Sequence, residues 1–428
     1  MSHTAAAPPR TGRLATASIV GTTLEYYDFA VYNTLAALVF GQLFFPAFDP
    51  LSGTLLAFST YAVGYFSRPV GGLLFGHLGD RFGRRFVLVA TLLLMGITTV
   101  LIGLLPTYAG AGNWSPALLV VLRFVQGAAL GGEWAGAVLL SVEHGRAQQR
   151  GRNGSWAQMG PSLGTLLATG TIAALTLLVS ADDFLQWGWR VPFFASVLLV
   201  VFGLWVRVGV DETPVFRKLE ESREQSRSPL GEVVSNHWRA LLRAGGLRLG
   251  PDILYSLIAA FALSYLTTVL GLPRSLALIA LSIGGACNAI AIPIFGTLSD
   301  HLGRRAVYAA GIVLAMAWAW MLFPLLDTQS PTLIVAAITA GLIIHAMMYG
   351  PQAAFITEQF PTRVRYAGSS MAYTFAGIVG GGIAPAVFTS LLRAFETTRP
   401  IVLYVSGALL ITGVVVALCR EGGSEKQA

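Results

Sequence analysis

Five ionisable side chains stand inside apolar stretches in the N-terminal half of this chain: Glu25, Asp28, Arg68, Arg123 and Glu133. A charge at the middle of a bilayer costs about 2.5–3.5 kcal/mol on insertion scales, so such groups persist only where they pair, bind or carry something. The run GTTLEYYDFAVY, Gly21 to Tyr32, sets Glu25 and Asp28 within apolar sequence that extends from Leu14 to Phe45. At about 100° per residue, Glu25, Asp28 and Tyr32 form one polar stripe on a helix. The same arithmetic places Tyr61, Tyr65 and Arg68 on one stripe of a second helix, with Arg68 about 18 Å along the axis from Asp80. Arg123 and Glu133 belong to another apolar stretch and occupy different depths of it. Two bases can hold two of the three acids ionised, and the third, desolvated, is poised to take up a proton. The chemistry suited to this set is reversible proton carriage. The competing reading is static ion pairs that fix helix packing, although apolar residues would pack at lower cost.

The elements that must position these groups follow from composition. Of 428 residues, 54% are hydrophobic and 11% charged, and the mean hydropathy is +0.66. A soluble domain carries roughly 25% charged residues, so most of this chain has no aqueous surface to cover. The sequence predicts an all-α polytopic membrane protein. Apolar runs of about 20 residues, enough to cross a hydrocarbon core of about 30 Å, occur twelve times: 15–43, 53–78, 86–105, 115–142, 153–179, 188–208, 246–270, 274–298, 306–325, 331–356, 366–391 and 399–419. Arginines and lysines crowd the loops after even-numbered spans, which places both termini in the cytoplasm. The polar stretch DETPVFRKLEESREQSRSPLGEVVSNHWRALLR then divides the chain into an N-terminal six-helix bundle (1–210), a cytoplasmic linker (211–245) and a C-terminal bundle with a short tail (246–428). The N-terminus lacks a cleavable hydrophobic leader, so the first span is expected to be retained. Cys287 and Cys419 both fall in apolar segments, giving neither a disulfide framework nor a metal spacing.

The halves also repeat. GHLGDRFGRR at Gly76–Arg85 returns as GTLSDHLGRR at Gly296–Arg305, and EHGRAQQRGRNGS from Glu143 is echoed by EQFPTRVRYAGSS from Glu358. Parallel six-span halves are a transporter architecture, with the substrate site near the midplane between them. Asp80 and Asp300 are acids where topology asks for none. Arg81, Arg84 and Arg85 form a charged belt beside Asp80, for which a positive-inside anchor is the plainer reading, and Gly83 permits the tight turn between spans.

GHLGDRFGRR resembles the signature loop of the major facilitator superfamily. LEYYDFAVY, SRPVGGLLFGHLGDRFGRR, RFVQGAALGGEWAGAVLLSVEH, FLQWGWRVPFF and DETPVFRKLEE are similar to the metabolite:proton symporter family within it, which includes shikimate, oxoglutarate, citrate and proline or betaine permeases. The resemblance spans nearly the whole chain and implies two pseudo-symmetric bundles working by alternating access. It implies a cytoplasmic gate of Gly76, Asp80, Arg81, Gly83, Arg84, Arg85, Glu143, Arg152, Asp300, Arg304, Glu358 and Arg363. It also implies that Asp28 carries the coupling proton, with Glu25 in reserve and Arg123 pairing Asp28 when ionised; Glu133 belongs to the same set.

Substrate-binding candidates are Tyr32, Tyr61, Tyr65, Arg68 and Arg123 in the first half and Asn288, Tyr349, Gln352 and Tyr373 in the second. Beyond these the second half offers only Arg248 and Asp252, near the expected entrance of span seven, and the neutral His345. Guanidinium groups beside phenolic rings suit a compact hydroxylated or cyclic organic acid. The expected function is therefore proton-coupled import of such an acid, shikimate or a related carboxylate, across a bacterial plasma membrane. An osmolyte symporter is one alternative. An exporting proton antiporter is another, since Gly160, Pro161 and Gly164 partly resemble the Gly-Pro motif of antiporters. The histidines are scattered and neither a catalytic nor a metal motif is present, which argues against an enzyme. The expected partners are small-molecule substrate, protons and lipid, with no nucleic acid, no cofactor and no second subunit.

Overall fold

The computed structural model describes residues 11–72, 74–75, 84–131, 138, 141–142, 147–208, 229–361, 364–419 and 421. Among these residues each predicted span is helical and no strand occurs. α1 is Thr11–Leu35, continued by a π-helical segment at Ala36–Phe40 and a last turn at Gly41–Phe44. α2 is Pro50–Phe66, α3 Arg84–Leu104, α4 Trp114–Leu130, α5 Arg150–Leu178 and α6 Val191–Val208. A short helix at Pro229–Asn236 precedes α7, Trp238–Val269. α8 is Arg274–Leu302, α9 Arg304–Asp327 and α10 Pro331–Thr357. α11 opens at Arg365–Gly377, passes through a π-helical segment at Ile378–Ile383 and ends at Ala384–Phe395; α12 is Arg399–Leu418. Seven of them, α5 and α7 through α12, are long and apolar enough to cross a membrane. α3, α4 and α6 are apolar but shorter over the described residues.

Local sequence explains the helix starts. Asp49 caps α2, its carboxylate accepting the Ser52 N–H at 3.1 Å, and Pro50 fills the first helical position, where a missing N–H costs nothing. Pro331 opens α10 in the same way. Interior prolines at 161, 251, 293, 324 and 351 free carbonyls that neighbouring helices can satisfy. The π-helical segments of α1, α7 and α11 also shift backbone groups out of register. One such group, the Gly380 carbonyl, accepts the Ser256 hydroxyl of α7 at 2.9 Å.

Helices approach most closely where side chains are missing. A Cβ on Gly127 would lie 2.0 Å from the Gly64 carbonyl oxygen, one on Gly131 2.0 Å from that of Arg68, and one on Gly71 1.8 Å from that of Ala128. These contacts weld α2 to α4, which sets Arg68 and Arg123 in one layer. Gly160 and Gly164 of α5 seat Thr22 and Tyr26–Tyr27 of α1, so the Gly-Pro stretch has a packing role that needs no exchange mechanism. Along its length α5 also touches the C-terminal set, packing on α8 and α10. It forms one seam between the two halves, and α2 against α11 forms another.

The α2–α4 weld makes a direct prediction. Gly127→Ala should destabilise the protein by about 1–3 kcal/mol through backbone overlap and lower its melting temperature in detergent. Gly170→Ala on α5, where nothing lies within 4 Å of the new Cβ, should leave melting unchanged. Equal melting of both variants would contradict the packing.

A cavity between the halves

A partly open cavity lies between α1, α2 and α5 on one side and α7, α10 and α11 on the other. Its N-terminal wall includes Tyr26, Asn33, Tyr61 and Tyr65; its C-terminal wall includes Arg248, Asp252, Tyr255, His345, Tyr349 and Tyr373. The phenol groups cross the space. Tyr26 and Tyr373 share a hydrogen bond between hydroxyls, Tyr61 and Tyr65 hydroxyls are 3.1 Å apart, and Tyr255 meets Thr165 of α5 at 2.7 Å.

Arg248 dominates the C-terminal wall. Its Nε donates to the Asp252 carboxylate at 2.5 Å, one turn along α7, and its Nη1 donates to the Tyr373 carbonyl at 2.8 Å. The guanidinium carbon lies over the Tyr373 ring, 3.1 Å from its centroid. Both members of the pair are buried, with 5% and 8% of their surface exposed. The sequence had placed span seven at 246, whereas α7 begins at Trp238. The arginines of WRALLRAGGLRLG look like linker, and that early start carries Arg248 well into the helix.

The N-terminal charges sit behind the opposite wall. Arg68 stacks on Tyr65 and Phe29, 4.0 and 4.7 Å from the ring centroids, and its Nε and Nη2 make no hydrogen bond among the described residues. Arg123 is fully buried among the rings of Phe29, Tyr32 and Tyr61, at 3.9, 4.2 and 4.9 Å. Cation–π attraction of this kind is worth about 2 kcal/mol or more when desolvated. It supplies part of the compensation that these buried cations need. Asp28 and Arg123 are connected, but through two intermediates. The Thr99 hydroxyl of α3 donates to Asp28 at 3.0 Å, Gln126 Nε2 of α4 donates to Thr99 at 2.7 Å, and Arg123 Nη1 donates to Gln126 Oε1 at 2.5 Å. The second carboxylate oxygen of Asp28 makes no hydrogen bond among the described residues.

The remaining candidates separate cleanly. Tyr61, Tyr65, Tyr349 and Tyr373 line the cavity. Tyr32 does not; it bonds Thr60 at 2.7 Å inside the N-terminal set. Gln352 is buried and donates to Tyr308 at 3.2 Å, and Asn288 sits just beyond the cavity wall, where it receives the Ser162 hydroxyl. Glu133, Gly76, Asp80, Arg81, Gly83, Glu143 and Arg363 lie outside the described residues, as do the side chains of Glu25, Arg84 and Arg85. Sequence reasoning passed over Tyr26, Tyr255 and His345 as site residues. Nothing in periodicity singles them out, because their neighbours across the cavity belong to other helices.

The two halves are joined at both ends. At one end the Asp300 carboxylate of α8 accepts the backbone N–H groups of Gly151 and Arg152, each at 2.9 Å, and so caps the start of α5 from the other half. Arg304 ties Asp300 at 2.7 Å to Glu358 at 3.6 Å. At the opposite end Arg393 of α11 reaches Ser52 and lies 3.6 Å from Asp49. Hydrogen bonds from the Ser52 hydroxyl and N–H, reinforced by Arg393, hold the Asp49 carboxyl below the usual carboxylate range. That contact is therefore present above the usual carboxylate pKa and is lost only as pH falls through the depressed one.

Asp300→Ala should release the start of α5. In a background where Cys287 and Cys419 are replaced and Ala259 on the cavity wall becomes the single cysteine (Ala259→Cys), maleimide reaching the Asp300 face should label it several-fold faster. Unchanged labelling would show that Asp300 holds nothing closed.

The Major Facilitator Superfamily model matches residues 18–385 and 252–427. The inner membrane metabolite transport protein YhjE of Escherichia coli (strain K12) is 38% identical over 414 residues, covering 96% of this chain and 94% of that one. The shikimate transporter of the same organism is 39% identical over 417 residues, covering 96% and 95%. A proline/betaine transporter of Salmonella typhimurium is 34% identical over 378 residues, covering 86% and 75%. Among solved structures, the inward open xylose transporter XylE from E. coli superposes with a TM-score of 0.74 at 17% identity, covering 97% of this chain and 98% of that one, a likeness of fold. The resemblance read from the loop motifs and the twelve spans is thus upheld: the chain belongs to the Major Facilitator Superfamily and is a membrane transporter, not an enzyme.

Proposed function

We propose that this transporter imports a small organic acid together with protons, across a bacterial inner membrane, with both termini cytoplasmic. The observation that carries the reading is the charge around the cavity. Two guanidinium groups, Arg248 on the wall and Arg68 behind Tyr65, face one described carboxylate, Asp252. Among the described residues one positive charge is then left for a monoanion to neutralise, and the ring of phenol hydroxyls suits a hydroxylated or cyclic carboxylate. Similarity to a shikimate transporter supports that class.

In this mechanism the cargo carboxylate meets Arg248, whose planar fork can hold two oxygens at once. Asp28 takes the proton. Its carboxyl is buried in the N-terminal bundle, and the chain through Thr99 and Gln126 connects its charge state to Arg123. Arg123 in turn lies against Tyr61 of the cavity. Bundles 1–210 and 246–428 rock about the linker 211–245, with α5 as one seam and the Asp300–Arg304–Glu358 cluster as the cytoplasmic gate. Asp80 and its arginines complete that gate by the sequence repeat.

A second reading has its own observation. The Arg248–Asp252 pair presents opposite charges side by side, which would take both ends of a zwitterion, as in a proline or betaine symporter. An excess of competing acids, zwitterions and dicarboxylates offered at acidic pH separates the two. Monocarboxylates such as shikimate should compete and proline and betaine should not; the reverse pattern would replace the organic acid with an osmolyte. Export is tested in the same cells, since efflux without uptake would reverse the direction.

Two substitutions test the mechanism. Arg248→Lys should raise KM for the transported acid about tenfold or more, since it loses a charge-assisted fork, and an unchanged KM would remove Arg248 from the site. Asp28→Asn should abolish accumulation against a gradient and preserve counterflow. Undiminished uphill uptake would shift the proton to another acid, with Glu25→Gln the next to test.

A further inference from the structure

His345 of α10 is 2% exposed and lines the cavity, yet its Nε2 has no hydrogen-bond partner among the described residues. Its ring stacks on Tyr349, with centroids 4.9 Å apart, and lies 5.2 Å from Tyr255. The other ring nitrogen, Nδ1, is 3.4 Å from Nδ2 of Asn288. Asn288 can adopt only one orientation there. Its Nδ2 is 2.5 Å from the Leu342 carbonyl oxygen, an acceptor that an amide oxygen could not face, and its Oδ1 receives the Ser162 hydroxyl. Asn288 therefore presents N–H to His345, and Nδ1 must be bare to receive it. The ring proton is on Nε2, the orphaned atom. A buried donor left unmade costs roughly 1–3 kcal/mol, so a site that keeps one has something to bind with it.

We propose that His345 is a specificity-determining residue: its Nε2–H donates to an oxygen of the cargo other than the carboxylate held by Arg248, and Asn288 is the positioning residue that fixes this tautomer. The inference rests on the organic-acid reading above for the class of cargo, but not for the tautomer. Ser162 belongs to α5 and Asn288 to α8, so one of the two bonds that orient Asn288 crosses between the halves, while the other, to Leu342 of α10, holds the same orientation from within the C-terminal half.

Two measurements on the full chain decide this. First, 15N-histidine spectra of the protein in lipid, with the His345 signal identified by its loss in His345→Gln, should show a bare Nδ1 and a protonated Nε2, and Asn288→Leu should populate both tautomers. A proton on Nδ1 would overturn the assignment. Second, uptake of shikimate is compared with uptake of cyclohex-1-ene-1-carboxylate, the same ring acid without hydroxyls. His345→Phe, which keeps the stacked ring, should raise KM for shikimate about tenfold with little change in kcat, and leave KM for the deoxy acid unchanged. His345→Gln, which restores an N–H near the position of Nε2, should recover part of the loss. An equal effect on both acids, or none on either, would overturn the proposal. If the wild-type protein takes up neither acid, the organic-acid reading fails instead, and the His345 assignment stands or falls on the spectrum.

Discussion

The constraint on which this structure depends is the burial of guanidinium groups in a medium that does not hydrate them. Arg68, Arg123 and Arg248 are each at most 5% exposed. A buried cation without compensation costs several kcal/mol even after relaxation, and the protein meets that cost in two ways. Arg248 has a carboxylate one turn away on its own helix and a carbonyl on α11. Arg68 and Arg123 are packed on aromatic faces from α1 and α2. Such faces attract a cation without neutralising its formal charge. Among the described residues the N-terminal bundle therefore keeps the charge of Arg68 and Arg123 behind the cavity wall, with Asp28 as the acid connected to it.

The glycine contacts follow from the same constraint. Three aromatic rings can surround Arg123 only if α2 comes close to α4, and Gly64, Gly127 and Gly131 permit that approach. A Cβ on Gly64 would lie 2.6 Å from Arg123 Nε. Helix packing and electrostatics are thus one design in this half: small residues draw backbones together, and the space gained holds a cation against rings. The C-terminal half adds π-helical segments in α7 and α11 beside the cavity, with Ser256 satisfying a displaced carbonyl.

Much of this was legible in the sequence. Spans were readable because a bilayer demands about 20 apolar residues wherever the chain crosses, and the repeat of GHLGDRFGRR as GTLSDHLGRR exposed the two halves. Asp28 and Arg123 were readable because charge inside an apolar run needs a reason. The partners were not. A one-dimensional stripe places Asp28 and Tyr32 together, yet Asp28 turns to Thr99 of α3 and Tyr32 to Thr60 of α2. Arg248 was discounted because neighbouring arginines disguised the start of α7. His345 and Asn288 have meaning only through Ser162 and Leu342, residues 126 and 54 positions from Asn288.

The central claim is that a proton moves with an organic anion in the same direction. Its most direct test is the external pH of a lightly buffered, de-energised cell suspension expressing the protein, recorded as shikimate is added. Symport predicts transient alkalinisation that matches the uptake of labelled shikimate and disappears in Asp28→Asn. Uptake of shikimate with acidification, or with no proton movement at all, would contradict it.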